Sequence, residues 1–323
     1  MDSAVQHYYS AALATSTKKT YKAAERRYLD FCNKFAITPL PTSEATLCYF
    51  TACLGQQGIS HNTIKTYLSG IQQIQITHGF NDLQMDHVPR LRQILKRVKV
   101  EAGRAGKSAC SRLPITPSIL RKIKTVWLGK SVVSFNSIML WAASLTTFFS
   151  FCRSGEITVP SEDQYDPNSH LSYSDVAVND AKAPSIISLR IKQSKTDQER
   201  AGTRVVIGKT GDDICPIDAL LKYLSKRGDK SGPLFQWQDG SPLSKSQFVA
   251  EVRSALLAAN LPARDFAGHS FRIGAATTAA TAGLDDSTIQ TLGRWKSSSY
   301  LLYIRLEPHR LASVASRLAK CSI

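Results

Sequence analysis

The sequence predicts a mainly α-helical protein with one small β-sheet, divided into an N-terminal four-helix domain and a larger C-terminal domain. Three observations carry this. Apolar residues recur at helical spacing through most of the 323 positions. Only one pair of β-branched runs, 186–191 and 203–207, is joined by a polar turn. A glycine-rich basic stretch interrupts the pattern near residue 105.

The elements follow in order. Tyr21, Ala24, Tyr28, Phe31 and Phe35 form a stripe on a first helix over residues 16–35, with Lys19, Lys22 and Arg26 on roughly the opposite face. A second helix covers Glu44 to Leu54. A third starts at Ser60 or Asn62 and buries Ile64, Tyr67, Leu68, Ile71 and Ile74, leaving Lys65 among the outward residues. A fourth begins near His87, with Leu91, Ile94, Leu95 and Val98 inward and Arg90, Arg97 and Lys99 outward. Residues 1–102 are thus expected to be one helical domain. Residues 103–115, with Arg104 and Lys107 among small residues and glycine, are expected to be an exposed basic linker. Residues 116–323 form the second domain. Pro117 opens its first helix after Thr116. A long apolar helix follows from Phe135 to about Cys152. The hairpin turns at Ser194–Gly202, and helices resume over 216–226, 244–260, 270–283 and 287–292. Residues 299–306 and 310–320 also read as helical.

Composition narrows the function. The hydrophobic content of 43% is that of a folding chain, and the formal charge is +16. Such a field favours a polyanionic partner, whether DNA, RNA or an anionic membrane. Up to Arg112 there are 15 Lys and Arg against 7 Asp and Glu, so about half of the excess charge lies in the smaller N-terminal part. No apolar stretch reaches the length of a membrane span, and no charged segment followed by an apolar core opens the chain. A soluble intracellular protein acting on nucleic acid is expected. The seven cysteines include no CxxC pair and read as reduced, packed thiols. Gly208-Lys209-Thr210 is no phosphate loop, because the glycine required five positions earlier is Thr203. No HExxH, paired zinc-ligand spacing or Gly-x-Ser-x-Gly occurs, so no metal or cofactor is expected.

Four segments carry chemistry: Cys152-Arg153-Ser154-Gly155-Glu156-Ile157, Ser194-Lys195-Thr196-Asp197, His269-Ser270-Phe271-Arg272, and Leu292-Gly293-Arg294-Trp295 followed by Tyr300-Leu301-Leu302-Tyr303-Ile304-Arg305. A planar, permanently charged guanidinium such as Arg153 or Arg272 suits a phosphodiester and the extra negative charge of its transition state. A tyrosine hydroxyl, with an ordinary pKa of about 10, needs a neighbour to take its proton. His269 lies one turn from Arg272. Each residue alone has a plainer reading as a capping arginine, a packed tyrosine, a solvated turn lysine or a hydrogen-bonded histidine.

Together and in this order, these motifs resemble the tyrosine recombinase superfamily of phage integrases, Xer-type recombinases and Cre. The closing words, Gly-Arg-Trp-Lys-Ser and Tyr-Ile-Arg, are most similar to the recombinases of DIRS-type retrotransposons. The resemblance covers nearly the whole chain. It implies an N-terminal SAM-like core-binding domain and a C-terminal catalytic domain that cuts and rejoins DNA through a 3′-phosphotyrosyl link, integrating or excising a mobile element. It implies Arg153, Lys195, His269, Arg272, Trp295 and Tyr303 as catalytic residues, with Lys195 protonating the leaving 5′-oxygen. Lys192 competes with Lys195, and Tyr300 with Tyr303. The family's tyrosine usually lies nine residues after its His or Trp; nine back from Tyr303 is Arg294, so Arg294 competes with Trp295. Glu156 is expected to buttress Arg153.

The resemblance further implies double-stranded DNA as partner, gripped by a two-domain clamp, and a homotetramer on two DNA sites from a chain that is monomeric when free. Lys19, Lys22, Arg26, Lys65, Arg90, Arg97, Lys99, Arg104 and Lys107 are the candidate DNA contacts. The stripe Leu311, Val314, Ala315 and Leu318 would dock either on its own domain or on a neighbouring subunit. The compartment would be the nucleus in a eukaryote and the cytoplasm or nucleoid in a bacterium. The competing classes are a type IB topoisomerase and a DNA-binding protein that has lost turnover.

Overall fold

A computed structural model of the chain describes residues 8, 12–80, 88–104, 112–194 and 201–305. The chain separates into two compact units, Met1–Cys110 and Ser111–Ile323.

Among its described residues the first unit holds four helices: α1 (Thr15–Lys34), α2 (Glu44–Gln56), α3 (His61–Thr77) and α4 (Pro89–Arg104). Helix α1 packs on α3, and α2 on α4. The core is the set of stripes on their inner faces, including Tyr28, Phe31, Leu47, Phe50, Leu54, Ile64, Leu68, Ile71 and Leu91. Ser43 and Ser60 start α2 and α3 by accepting the amides of Thr46 and Thr63, which would otherwise be orphan donors. Phe35, expected at the end of the apolar stripe, instead caps α1 and is half exposed. Helix α4 continues through Gly103 and Arg104, two residues into the span expected to be linker. Lys19, Lys22, Arg26, Lys65, Arg90, Arg97, Lys99 and Arg104 are all exposed. Arg97 pairs with Glu101 at 2.7 Å, one helical turn on. Lys107 lies outside the described residues.

The second unit contains α5 (Pro117–Leu128), α6 (Phe135–Phe149), the single turn α7 (Ser154–Ile157), β1 (Val176–Val178), β2 (Ile186–Ile191), β3 (Thr203–Gly208), α8 (Pro216–Arg227), α9 (Lys245–Ala258), α10 (Ser270–Thr281), α11 (Asp286–Gly293) and a 3-10 turn at Ser298–Leu302. Helix α6 is apolar on almost every face because it is the central rod: every residue from Ile138 to Phe148 is buried, with α5, α8 and α10 packed around it. The strands form an antiparallel sheet in the order β1-β2-β3, and β2 meets β3 from Ile186↔Gly208 to Ile191↔Thr203. Alternation places Ile187, Leu189, Ile191, Val205 and Ile207 on the core face. Strand β1 has only three residues, too few to show alternation in the sequence.

Two backbone segments hold α10 in place. Leu113 and Ile115 donate to the carbonyls of Asp265 and Ser270, both at 2.9 Å, so the end of the expected linker is part of this unit. The approach is so close that a Cβ on Gly274 would stand 1.8 Å from the Ile115 carbonyl oxygen. Only glycine fits there.

The expected helix over 299–306 is a correction. The chain there forms one 3-10 turn, Ser298–Leu302, and leaves it at Tyr303. Three consecutive serines, 297–299, offer hydroxyls that compete for the backbone, and Ser297 caps the turn through the amide of Ser299. The expected docking helix at 310–320 lies outside the described residues.

Candidate active site

The site is built around Arg272, whose side chain is completely buried near the start of α10. A lone buried guanidinium is costly, so its donors must find acceptors. Two helix ends supply them. Arg272 Nη1 donates to the Phe151 carbonyl just past α6, and Nη2 donates to the Gly293 carbonyl at the end of α11. Both ends carry the partial negative charge of a helix C-terminus, which suits a cation. Each helix closes with an amide reaching back five residues, Cys152 to Thr147 and Trp295 to Gln290, around a left-handed residue. Those residues are Phe151 (φ 53°) and Arg294 (φ 56°). Burial, with Arg153 adding to it, pulls the Arg272 pKa down to about 10, so the group remains charged at neutral pH.

Aromatic rings cover this guanidinium. Its centre lies 4.2 Å from the Trp295 ring and 5.6 Å from the Tyr303 ring. Trp295 and Tyr303 are 5.1 Å apart, and the exposed ring of His269 lies 6.3 Å from Tyr303. Gly293 is required by this stack, since a Cβ there would fall 1.6 Å from the Trp295 ring. Trp295 Nε1 is buried and has no acceptor among the described residues. Tyr303 is partly exposed, and Thr277 of α10 pins its segment by donating to the Tyr303 carbonyl (3.2 Å) and accepting the Arg305 amide (3.0 Å). Tyr300 instead is buried, with its hydroxyl on Asp286; burial and that carboxylate raise its pKa.

Arg153 caps α7 at the exit of α6. Its Nη1 binds Glu156 Oε1 at 2.9 Å, and its amide binds Oε2 at 3.0 Å. Arg294 Nη2 meets the same Oε2 at 2.8 Å. Burial opposes ionisation of Glu156, but Arg294 and Arg153 outweigh it and hold its pKa below the usual value. Burial drives the neighbouring Cys152 thiol up to about 11, so it is neutral at pH 7.

Five of the six residues expected from sequence, Arg153, His269, Arg272, Trp295 and Tyr303, are therefore gathered where α6, α10 and α11 end or begin. Lys195 lies outside the described residues. Its competitor Lys192 is committed elsewhere: Nζ donates to the Pro167 carbonyl (2.6 Å), Ser172 Oγ (2.9 Å) and the Asp175 carboxylate. Lys192→Met should therefore cost about 3–5 kcal/mol in urea unfolding, because it strands a buried carboxylate. An unchanged unfolding midpoint with loss of DNA cleavage would instead make Lys192 the hairpin lysine. Sequence reasoning missed the roles of Thr277 and Lys192. A threonine inside a helix and a lysine at a strand end carry no signal until their partners, 26 and 17–25 residues away, are in place.

A helical unit with one hairpin, in which Arg, His-x-x-Arg, Gly-x-Trp and Tyr converge, is the arrangement that the resemblance to tyrosine recombinases implies. Comparison with known proteins agrees. Residues 170–309 match the model of the phage integrase family. The integrase/recombinase XerD homolog of Selenomonas ruminantium is 25% identical over 297 residues, covering 88% of this chain and 79% of that protein. XerH site-specific recombinase in a post-cleavage complex with palindromic difH substrate superimposes with a TM-score of 0.64 at 15% identity, over 94% of this chain and 80% of that one. The Tn1549 transposon integrase in complex with transposon right end DNA gives 0.59 at 15% identity, over 98% of each chain. Residues 170–309 thus carry a phage integrase family domain, and the chain as a whole is similar to an integrase/recombinase in sequence and to site-specific recombinases in fold.

Proposed function

We propose that this protein binds double-stranded DNA and recombines it at specific sites through a 3′-phosphotyrosyl intermediate, to integrate or excise a mobile element. The observation that carries this reading is the Arg272–Trp295–Tyr303 stack with His269 beside it. The Tyr303 oxygen attacks the scissile phosphorus and gives its proton to a neighbouring base, for which the imidazole of His269, its ring 6.3 Å away, is the candidate. The bond from phosphorus to the 5′-oxygen breaks, and that oxygen takes a proton from Lys195. Arg153, Arg272 and the indole N–H of Trp295 hold the non-bridging oxygens, whose charge rises as the fifth bond forms. The new ester keeps the energy of the old one, and a 5′-hydroxyl reverses the step. Trp295 rather than Arg294 takes the phosphate position in this reading, because its ring lies against Arg272 and Tyr303 while Arg294 is tied to Glu156.

The exposed lysines and arginines of the first unit, from Lys19 to Arg104, supply the DNA contacts, in a two-domain clamp and a homotetramer on two sites. The test is a nicked duplex from the ends of the element, whose cut strand diffuses away and traps the intermediate. A protein–DNA adduct that survives denaturant but not protease is expected without ATP or added metal. Supercoil relaxation with no exchange between two sites would favour a topoisomerase, and binding with no adduct would leave only a DNA-binding protein.

A further inference from the structure

The Glu156 carboxylate has a second partner whose role differs from that of a simple strut. Arg153 takes Oε1 through its guanidinium, while Arg294 takes Oε2 from the opposite side of the fold. One carboxylate thus joins the α6–α7 corner to the left-handed residue that ends α11, next to Trp295. Buried arginine need not be arranged this way. Arg227, which is buried, spends both terminal nitrogens on the carbonyls of Gly228, Lys230 and Pro233 and on Gln236, and leaves only Nε without an acceptor among the described residues. Arg294 leaves Nε and Nη1 buried with no acceptor among the described residues. Orphaned donors on a buried charge are expensive, and such costs persist at sites under functional constraint. Charge points the same way. Arg153, Arg272 and Arg294 face the single carboxylate of Glu156, a surplus of two positive charges that the dianionic transition state of phosphoryl transfer would balance.

We propose that Arg294 is a positioning residue that acts through Glu156: it fixes the Glu156 carboxylate, which in turn sets the Arg153 guanidinium against the scissile phosphate and couples it to the Trp295 segment. This rests on the recombinase reading above. The full chain is assayed for adduct formation on two nicked duplexes, one with an ordinary scissile phosphate and one with a methylphosphonate, whose phosphorus carries no charge. Arg294→Gln should slow the phosphate reaction about 10–100-fold, the scale of a misplaced group. On the methylphosphonate the defect should shrink to a few-fold, since little negative charge needs holding. Arg294→Lys, which keeps a cation near Glu156, should recover part of the rate. In a Glu156→Ala background, Arg294→Gln should add nothing. Equal loss on both substrates, or losses that multiply in the double variant, would overturn the proposal; the first comparison holds even if Glu156→Ala does not fold. If wild type forms an adduct and Arg294→Gln matches it, this proposal alone fails. If wild type forms none, the recombinase reading fails and takes the proposal with it.

Discussion

Tyr303→Phe should abolish the covalent adduct, with a loss on the order of 10⁴-fold or more, while Tyr300→Phe should form it within a few-fold of the wild-type rate. The two residues are three apart, and the family's usual spacing favours Tyr303. The structure separates their surroundings. Tyr303 stands partly exposed, with its ring beside Trp295 and Arg272 and the His269 ring near. Tyr300 is buried, and its hydroxyl faces the Asp286 carboxylate, which holds the proton on. Removing that hydroxyl breaks its contact with Asp286 and should leave cleavage intact. Denaturing gels of the trapped adduct read both variants directly, and the reverse pattern would move the nucleophile to Tyr300.

Arg272→Lys should be nearly as damaging, lowering adduct formation about 10²–10³-fold despite keeping the charge. The guanidinium fork spans two carbonyls from different helices, Phe151 and Gly293. A lysine ammonium is a point donor on a flexible stem and cannot satisfy both at that separation. One buried helix-end carbonyl is then orphaned, at about 1–3 kcal/mol, so the melting temperature should fall together with the rate. A lysine variant that kept both rate and melting point would show that Arg272 is neither the keystone of the two helix ends nor a phosphate ligand.

The sequence makes the scaffold of this site readable because its signals are local. Helical stripes such as Ile64, Leu68 and Ile71 mark core faces, and the β-branched runs 186–191 and 203–207 pair in the hairpin as their alternation implies. The expected helix at 299–306 fails because the three serines offer the backbone other partners, and the shorter turn still packs Tyr300, Tyr303 and Ile304 on the core while leaving Leu301 and Leu302 exposed. In the site, residue types and order are legible, but their division of labour is not. Arg294 and Trp295 are neighbours in sequence, and only the left-handed turn at Arg294 sends one toward Glu156 and the other onto Arg272. Likewise Lys192 and Lys195 are told apart by what the first one grips.

The left-handed turns at Phe151 and Arg294 have a consequence for how such an enzyme responds to selection. A side chain in that conformation costs roughly 1–2 kcal/mol that glycine would not. Phe151 gives Arg272 its own carbonyl and Arg294 follows the carbonyl of Gly293, so two of the four left-handed non-glycine residues among the described residues lie beside Arg272. At 151 glycine would relieve that strain but lose a buried ring that packs on Trp295, at about 3–5 kcal/mol, so selection for heat resistance alone would keep phenylalanine there. At 294 glycine or asparagine would relieve it but leave the buried Glu156 carboxylate with one arginine fewer. Thermal hardening is therefore better sought on the outer faces of α1, α4 and α5.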